Sequence, residues 1–170
     1  MTNLGSLQVT TPGDREIAMT RVFDAPRALV FDALTKPELL KRWVLGPPGW
    51  SLEVCEIDLR PGGAFRYVWR GADGTEMGMR GAFREVAPPE RIVHTELFDE
   101  DWTGGETVVT TSLVEQGGRT TLTLTLLYQS PEARDAALKS GMTEGVTASY
   151  DRLAGVLASG SVWRSSPDRA

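Results

Sequence analysis

The segment from Pro131 to about Ser159 reads as one long helix with Leu138, Met142, Val146, Tyr150, Leu153 and Leu157 at three- and four-residue intervals, and no second long helix stands ready to face that apolar stripe. Most of the chain before it reads as extended runs separated by turns. Neither a lone amphipathic helix nor a one-sided sheet buries its apolar face by itself, so the helix must lie across a curved antiparallel sheet. Such packing tends to leave a cavity between the two layers. No run of residues announces a reaction, so that cavity is the first candidate for function.

Alternation predicts a first strand over 15–23, where Ile17, Met19 and Arg21 alternate with Ala18, Thr20 and Val22. Asp24-Ala-Pro26 then reads as a helix start, with Asp24 or Ala25 near the cap and Pro26 in the first turn. That short helix buries Val30, Phe31 and Leu34. A second one follows Pro37, has Leu39, Leu40 and Trp43 on its inner side, and ends at Gly46-Pro47-Pro48-Gly49. Further strands are expected over 51–59, 64–70, 77–86, 92–98, 107–115 and 120–128, with Gly- and Pro-rich reversals between them. In the last of these, Thr121, Thr123 and Thr125 alternate with Leu122, Leu124 and Leu126, so one sheet face is dry and the other wet. Gly141 and Gly145 each cost ~1 kcal/mol of helix propensity relative to Ala, which points to a bend or to close approach of another backbone. The expected organisation is a flexible arm over 1–14, one domain over 15–159 and a flexible tail over 160–170.

Composition excludes several functions. With a net charge of −5 and acids and bases interleaved, the chain lacks the clustered positive charge that phosphate binding needs, so nucleic acid is not an expected partner. No apolar run approaches the ~20 residues of a membrane span. The N-terminus has no basic, apolar leader, so a cytoplasmic location is the expectation. Cys55 is the only cysteine, which rules out an internal disulfide and reads best as a small buried apolar residue. Phosphate loops and a Gly-x-Ser-x-Gly nucleophile elbow are missing from the sequence.

His94 is the only histidine, so no multi-histidine metal site can be assembled, and no metal or cofactor is expected. On a strand facing the cavity it would serve as a proton carrier or ligand anchor. A strand histidine without a role is the preferred reading, because no activating partner is identifiable. Glu53, Glu56, Asp58, Glu76, Glu85 and Glu96 lie on strands, but Arg60, Arg66, Arg70, Arg80 and Arg84 are plentiful on neighbouring strands, and cross-strand ion pairs on the convex face are the expected arrangement. Trp43, Trp50, Trp69 and Trp102 fall near loops or strand ends, where cavity walls and rims form. Trp102 lies in the acidic stretch 99–105, which reads as a solvated turn, with a lid as the alternative.

The order of elements, together with local motifs, resembles the helix-grip superfamily of START domains, birch-pollen-allergen-like proteins and polyketide cyclases. Within it the chain is most similar to bacterial proteins related to the C-terminal domain of the activator of the heat shock protein 90 ATPase. The motifs are Val22-Phe-Asp-Ala-Pro-Arg27, Phe31-Asp-Ala-Leu-Thr-Lys-Pro-Glu-Leu39, Arg42-Trp43, Gly46-Pro47, Asp58-Leu-Arg-Pro-Gly-Gly63, Pro88-Pro-Glu-Arg91 and Tyr150-Asp-Arg-Leu153. Where that family often has a second aromatic after Trp43, this chain has Val44, which opens space at the cavity mouth.

The resemblance implies an α+β helix-grip fold, a curved antiparallel sheet of six or seven strands wrapped on a long C-terminal helix, with two short helices after the first strand. It also implies a pocket between that helix and the concave sheet face. The expected wall is Trp43, Trp50, Phe65, Tyr67, Trp69, Met79, Phe83, His94, Leu113, Met142, Val146 and Tyr150. The expected function is binding of a small apolar or aromatic molecule without catalysis, oriented by groups such as His94 and Tyr150. Two alternatives remain open. One is a cyclase- or hydrolase-like enzyme using His94 or a buried carboxylate. The other is a co-chaperone-like interaction protein, which is disfavoured because the chain lacks room for the eukaryotic activator's additional N-terminal domain. A homodimer is left open.

Overall fold

The computed structural model describes residues 6–101 and 104–159. Trp102 and the proposed tail over 160–170 lie outside the described residues. Eight strands and four helices follow one another as β1 (Gln8–Thr10), β2 (Glu16–Phe23), α1 (Arg27–Thr35), α2 (Pro37–Trp43), β3 (Ser51–Ile57), β4 (Ala64–Arg70), β5 (Glu76–Ala87), β6 (Arg91–Phe98), β7 (Thr107–Gln116), β8 (Arg119–Leu127), α3 (Pro131–Lys139) and α4 (Met142–Ala158). All pairings are antiparallel, and the order across the sheet is β1-β2-β8-β7-β6-β5-β4-β3. β2 and β3 therefore lie far apart, and the α1–α2 pair that connects them crosses the concave side.

The strand count exceeds the expected six or seven because Gln8–Thr10, inside the segment read as an arm, pairs with Ala18–Thr20 of β2. Three residues of polar edge strand leave too short an alternation to stand out in the sequence. The second departure concerns the C-terminal helix, which is two helices and not one. Ser130 accepts a hydrogen bond from the Ala133 backbone N–H and Pro131 occupies the first turn, as a helix start requires. α3 then ends at Ser140, and Gly141 takes φ +84°, a left-handed conformation that breaks the ladder before α4 begins.

The start of α1 also differs from expectation. Pro26 is the capping residue and offers no side chain to the helix; the backbone N–H of Arg27 donates instead to Glu115 Oε1 of β7 at 2.8 Å. A carboxylate at this end meets a free N–H and the positive end of the helix dipole. The contact seats α1 at the C-terminal end of β7.

Two buried clusters fill the interior. The larger runs from Phe23 through α1, α2, β3–β6 and the C-terminal half of α4; the smaller joins Ile17, Met19, Val109, Leu126, Tyr128 and Ala137 beneath α3. α1 lies against β7 and β8, whereas α4 makes its principal backbone approaches to α1, α2 and α3 and not to any strand. A domain of this size usually has one contiguous core. Here Leu7, Leu124 and Val146, each partly buried, pack against both clusters and bridge them.

Candidate functional site

Between α4 and the concave sheet face is a cavity of about 650 Å³, within the range typical of small-molecule sites. Its wall follows the strand period of two. β4 contributes Phe65, Tyr67 and Trp69, β5 contributes Met77, Met79 and Phe83, and β6 contributes Ile92, His94, Glu96 and Phe98. From α4 come Met142, Val146 and Tyr150, and from α2 and the loop after it Leu40, Trp43, Val44, Pro47 and Pro48. Pro47, Pro48 and Gly145 are exposed and Met77 is 38 % exposed, so the mouth lies between α4 and the turn after α2.

The two tryptophans of the wall are fixed by their indole N–H groups. Trp43 Nε1 donates to the Ala33 carbonyl at 2.9 Å, and Trp69 Nε1 donates to the Val44 carbonyl at 3.0 Å. With its polar handle satisfied by backbone, each ring offers the cavity an apolar face. Phe65 packs edge-on to His94, with ring centroids 5.3 Å apart, and is tilted against Tyr67 and Phe83. Gly81 makes room for this cluster, because a Cβ there would collide with the Thr95 carbonyl and the Phe65 ring.

All the residues expected to form the wall line the cavity except Trp50 and Leu113. Trp50 is partly buried and packs against the larger cluster instead, its ring close over Gly71 just after β4. Leu113 is on the correct face of β7 but at the wrong end. It is 3 % exposed, pairs with Leu122, and sits near Glu115, where α1 closes over the sheet. Val109 and Thr111 supply the β7 part of the wall instead.

Of the strand carboxylates expected in cross-strand ion pairs, Glu76 and Glu85 make them, whereas Glu53 accepts from the Ser51 hydroxyl and Asp58 pairs with Arg60 in the turn after β3. Arg66 makes a two-pronged contact with Asp99, 2.7 Å for each bond, while Arg70 pairs with Glu76 and Arg91 with Glu85 on the exposed side. Asp99 is held below the usual carboxylate range, chiefly by the Arg66 hydrogen bonds. Glu96 departs from the pattern. It faces the cavity, and His94 Nε2 lies 3.0 Å from its Oε2. A carboxylate accepts, so Nε2 carries the hydrogen of this contact. Nδ1 is buried and has no partner among the described residues. The pair was legible as two residues at i and i+2 of one strand, which share a face.

Glu96 also influences the tyrosines around it. Tyr67 and Tyr150 are pushed well above the usual phenol range by burial first, with the negative charge of Glu96 adding to the shift. Both therefore stay as neutral hydroxyls across the ordinary pH range. The site thus offers a mostly apolar wall, one imidazole–carboxylate pair, two phenols, and Glu144 and Arg152 from α4. Among the described residues no group of three or more His, Cys, Asp or Glu side chains is placed to hold a metal ion. No helix among them is long and apolar enough to cross a membrane.

Comparison with known proteins bears on this geometry. The family model described as Activator of Hsp90 ATPase homolog 1-like protein matches residues 24–158. The chain is similar to a crystal structure from Rhodobacter sphaeroides, with 36% identity and a TM-score of 0.86, covering 90% of this chain and 98% of that one. A Nitrosomonas europaea structure is 28% identical with a TM-score of 0.79, covering 88% and 98%. One from Mycobacterium smegmatis is 26% identical with a TM-score of 0.77, covering 89% and 97%. Among curated proteins none matches.

Proposed function

We infer the role of this protein from two premises: the chain belongs to the Activator of Hsp90 ATPase homolog 1-like family, and its α+β helix-grip fold encloses a cavity lined mostly by apolar side chains. The role is to hold a small apolar or aromatic molecule by burial. One observation carries the reading: α4 stands off the sheet, so that the rings of Trp43, Phe65, Tyr67 and Trp69 face a volume of about 650 Å³. A wall of this kind favours entry through removal of apolar surface from water, at about 25 cal/mol per Å². The few polar groups, His94, Glu96 and Tyr150, would orient the guest.

Native mass spectrometry of freshly purified protein tests the reading. A small-molecule adduct released on collisional activation is the expected result. The bare mass, together with no fluorescence response from the neutral probe N-phenyl-1-naphthylamine, contradicts it.

A second reading is supported by the His94–Glu96 contact: a cyclase- or hydrolase-like reaction in which the imidazole moves a proton while the carboxylate fixes its tautomer. It predicts turnover with a single pH limb that is abolished in His94→Ala while probe binding persists. Binding without turnover in both proteins favours the passive holder. A chaperone-directed role rests on the family's description alone, and pull-down with a purified bacterial chaperone tests it.

A further inference from the structure

We propose that Arg152 is an anion anchor at the rim of this cavity and that the guest is therefore an apolar or aromatic carboxylic acid. The proposal rests on the ligand-holding reading and adds the chemical class of what is held. Arg152 is the only lysine or arginine among the residues that line the cavity. Its position on α4 sets it one residue off the buried stripe of Tyr150 and Leu153, facing the turn that carries Gly46, Pro47 and Pro48.

Four arginines make no ion pair among the described residues, but Arg15, Arg42 and Arg84 are exposed to solvent, whereas Arg152 lines the cavity with a buried Nη1. Arg21, Arg27, Arg60, Arg66, Arg70, Arg80, Arg91, Arg119 and Arg134 each pair with a carboxylate. Arg152 makes one long bond instead, Nη2 to the Gly46 carbonyl at 3.3 Å, and Nη1 is buried with no acceptor among the described residues. The two carboxylates that share the cavity wall do not serve it. Glu96 is engaged by His94, and Glu144 is eight residues back on α4, about 12 Å along the helix axis.

A guanidinium presents several donors in a planar fork matched to a carboxylate, and leaving a buried donor unmet costs ~1–3 kcal/mol. A carboxylate entering at the rim supplies two acceptors and replaces one weak carbonyl contact, at the expense of a small rotation of the guanidinium away from Gly46. Its apolar body would then extend inward between Trp43, Tyr67 and Trp69. Without such a cation the apolar wall would reject a charged guest, because a desolvated carboxylate is penalised far more than a neutral ester. The anchor therefore sets selectivity as well as affinity.

Displacement of N-phenyl-1-naphthylamine by 2-naphthoate and by methyl 2-naphthoate, at a pH where the acid is ionised, tests the proposal. Wild-type protein is expected to bind naphthoate about tenfold or more tightly than the ester, as for a charge-assisted, two-pronged contact. Arg152→Leu and Arg152→Gln should both lose that preference and retain ester affinity within about threefold, since the ester uses only the apolar wall. Arg152→Lys should keep part of it, as a point charge without the fork. Equal affinity for acid and ester in the wild type, or a preference that survives in both Arg152→Leu and Arg152→Gln, overturns the anchor while leaving the cavity reading intact. If neither compound nor the neutral probe binds, the cavity reading falls and the anchor falls with it.

Discussion

Arg21 of β2 reaches across the interior to Asp151 of α4, its Nη1 donating to Oδ1 at 2.7 Å. Arg21 is 4 % exposed and also lies over the Phe23 ring at 5.2 Å, whereas the Asp151 side chain is 60 % exposed. The contact ties α4 to β2 through the buried face that Arg21 shares with Met19 and Phe23.

Removing the acceptor should be costly. Asp151→Ala leaves a desolvated guanidinium with no counterion, and urea unfolding should show a loss of about 1–3 kcal/mol, less than for a fully buried pair because Asp151 is partly in water. The double variant Arg21→Met with Asp151→Ala should recover much of that loss.

The His94–Glu96 pair makes a parallel prediction within the cavity. Glu96→Leu leaves the imidazole N–H without its acceptor, and His94→Leu leaves the carboxylate without its donor; each should destabilise the fold by ~1–3 kcal/mol. Substituting both by Leu should cost less than the sum. Equal and additive losses in a double-mutant cycle would show that the 3.0 Å contact carries no coupling.

The two glycines near the start of α4 should behave in opposite ways. Gly141 is at φ +84°, where an L-side chain is strained, so Gly141→Ala should lower stability by about 1–2 kcal/mol. Gly145 is in the helix interior and a Cβ there meets nothing within 4 Å, so Gly145→Ala should raise stability by about 0.5–1 kcal/mol. Thermal melts of the two variants should shift in opposite directions.

Cys55 predicts the alkaline limb. Burial pushes its thiol up to about 11, so native protein should resist thiol reagents at pH 8 and react once unfolded. In the unfolded chain the thiol ionises near pH 8.5. Between there and about 11 the folded state keeps a proton that the unfolded state has lost, so stability falls as pH rises through that window. Cys55→Val should remove the part of the slope below pH 10, above which the buried tyrosines add their own.

The sheet was largely legible in the sequence because Gly and Pro pairs mark the reversals and the apolar period of two assigns the faces, as for Phe65, Tyr67 and Trp69. The break in the C-terminal helix was not. Gly141 and Gly145 have the same propensity cost, and only the tertiary path shows that one turns the chain while the other stays helical. Leu113 followed the correct alternation, but position along a strand depends on where α1 lands, which the Arg27–Glu115 contact settles from 88 residues away. Trp50 packs over Gly71, where the absent Cβ leaves room for its ring, a contact across twenty-one residues that no local pattern encodes. Arg152 stands beside the apolar stripe as an ordinary helix cation, and only the folded chain shows its Nη1 buried at the cavity without an acceptor among the described residues.

The central claim, that α4 and the sheet enclose a volume a guest can enter, is tested most directly by labelling the methionine methyls with ¹³C and titrating N-phenyl-1-naphthylamine while recording their NMR signals. Met77, Met79 and Met142 line the cavity, whereas Met19 is fully buried outside it, in the smaller cluster. The account predicts saturable shifts at those three methyls at one equivalent of probe, with Met19 the least affected. Shifts spread evenly over Met19 and the others, or no shift while the fold persists, would contradict it.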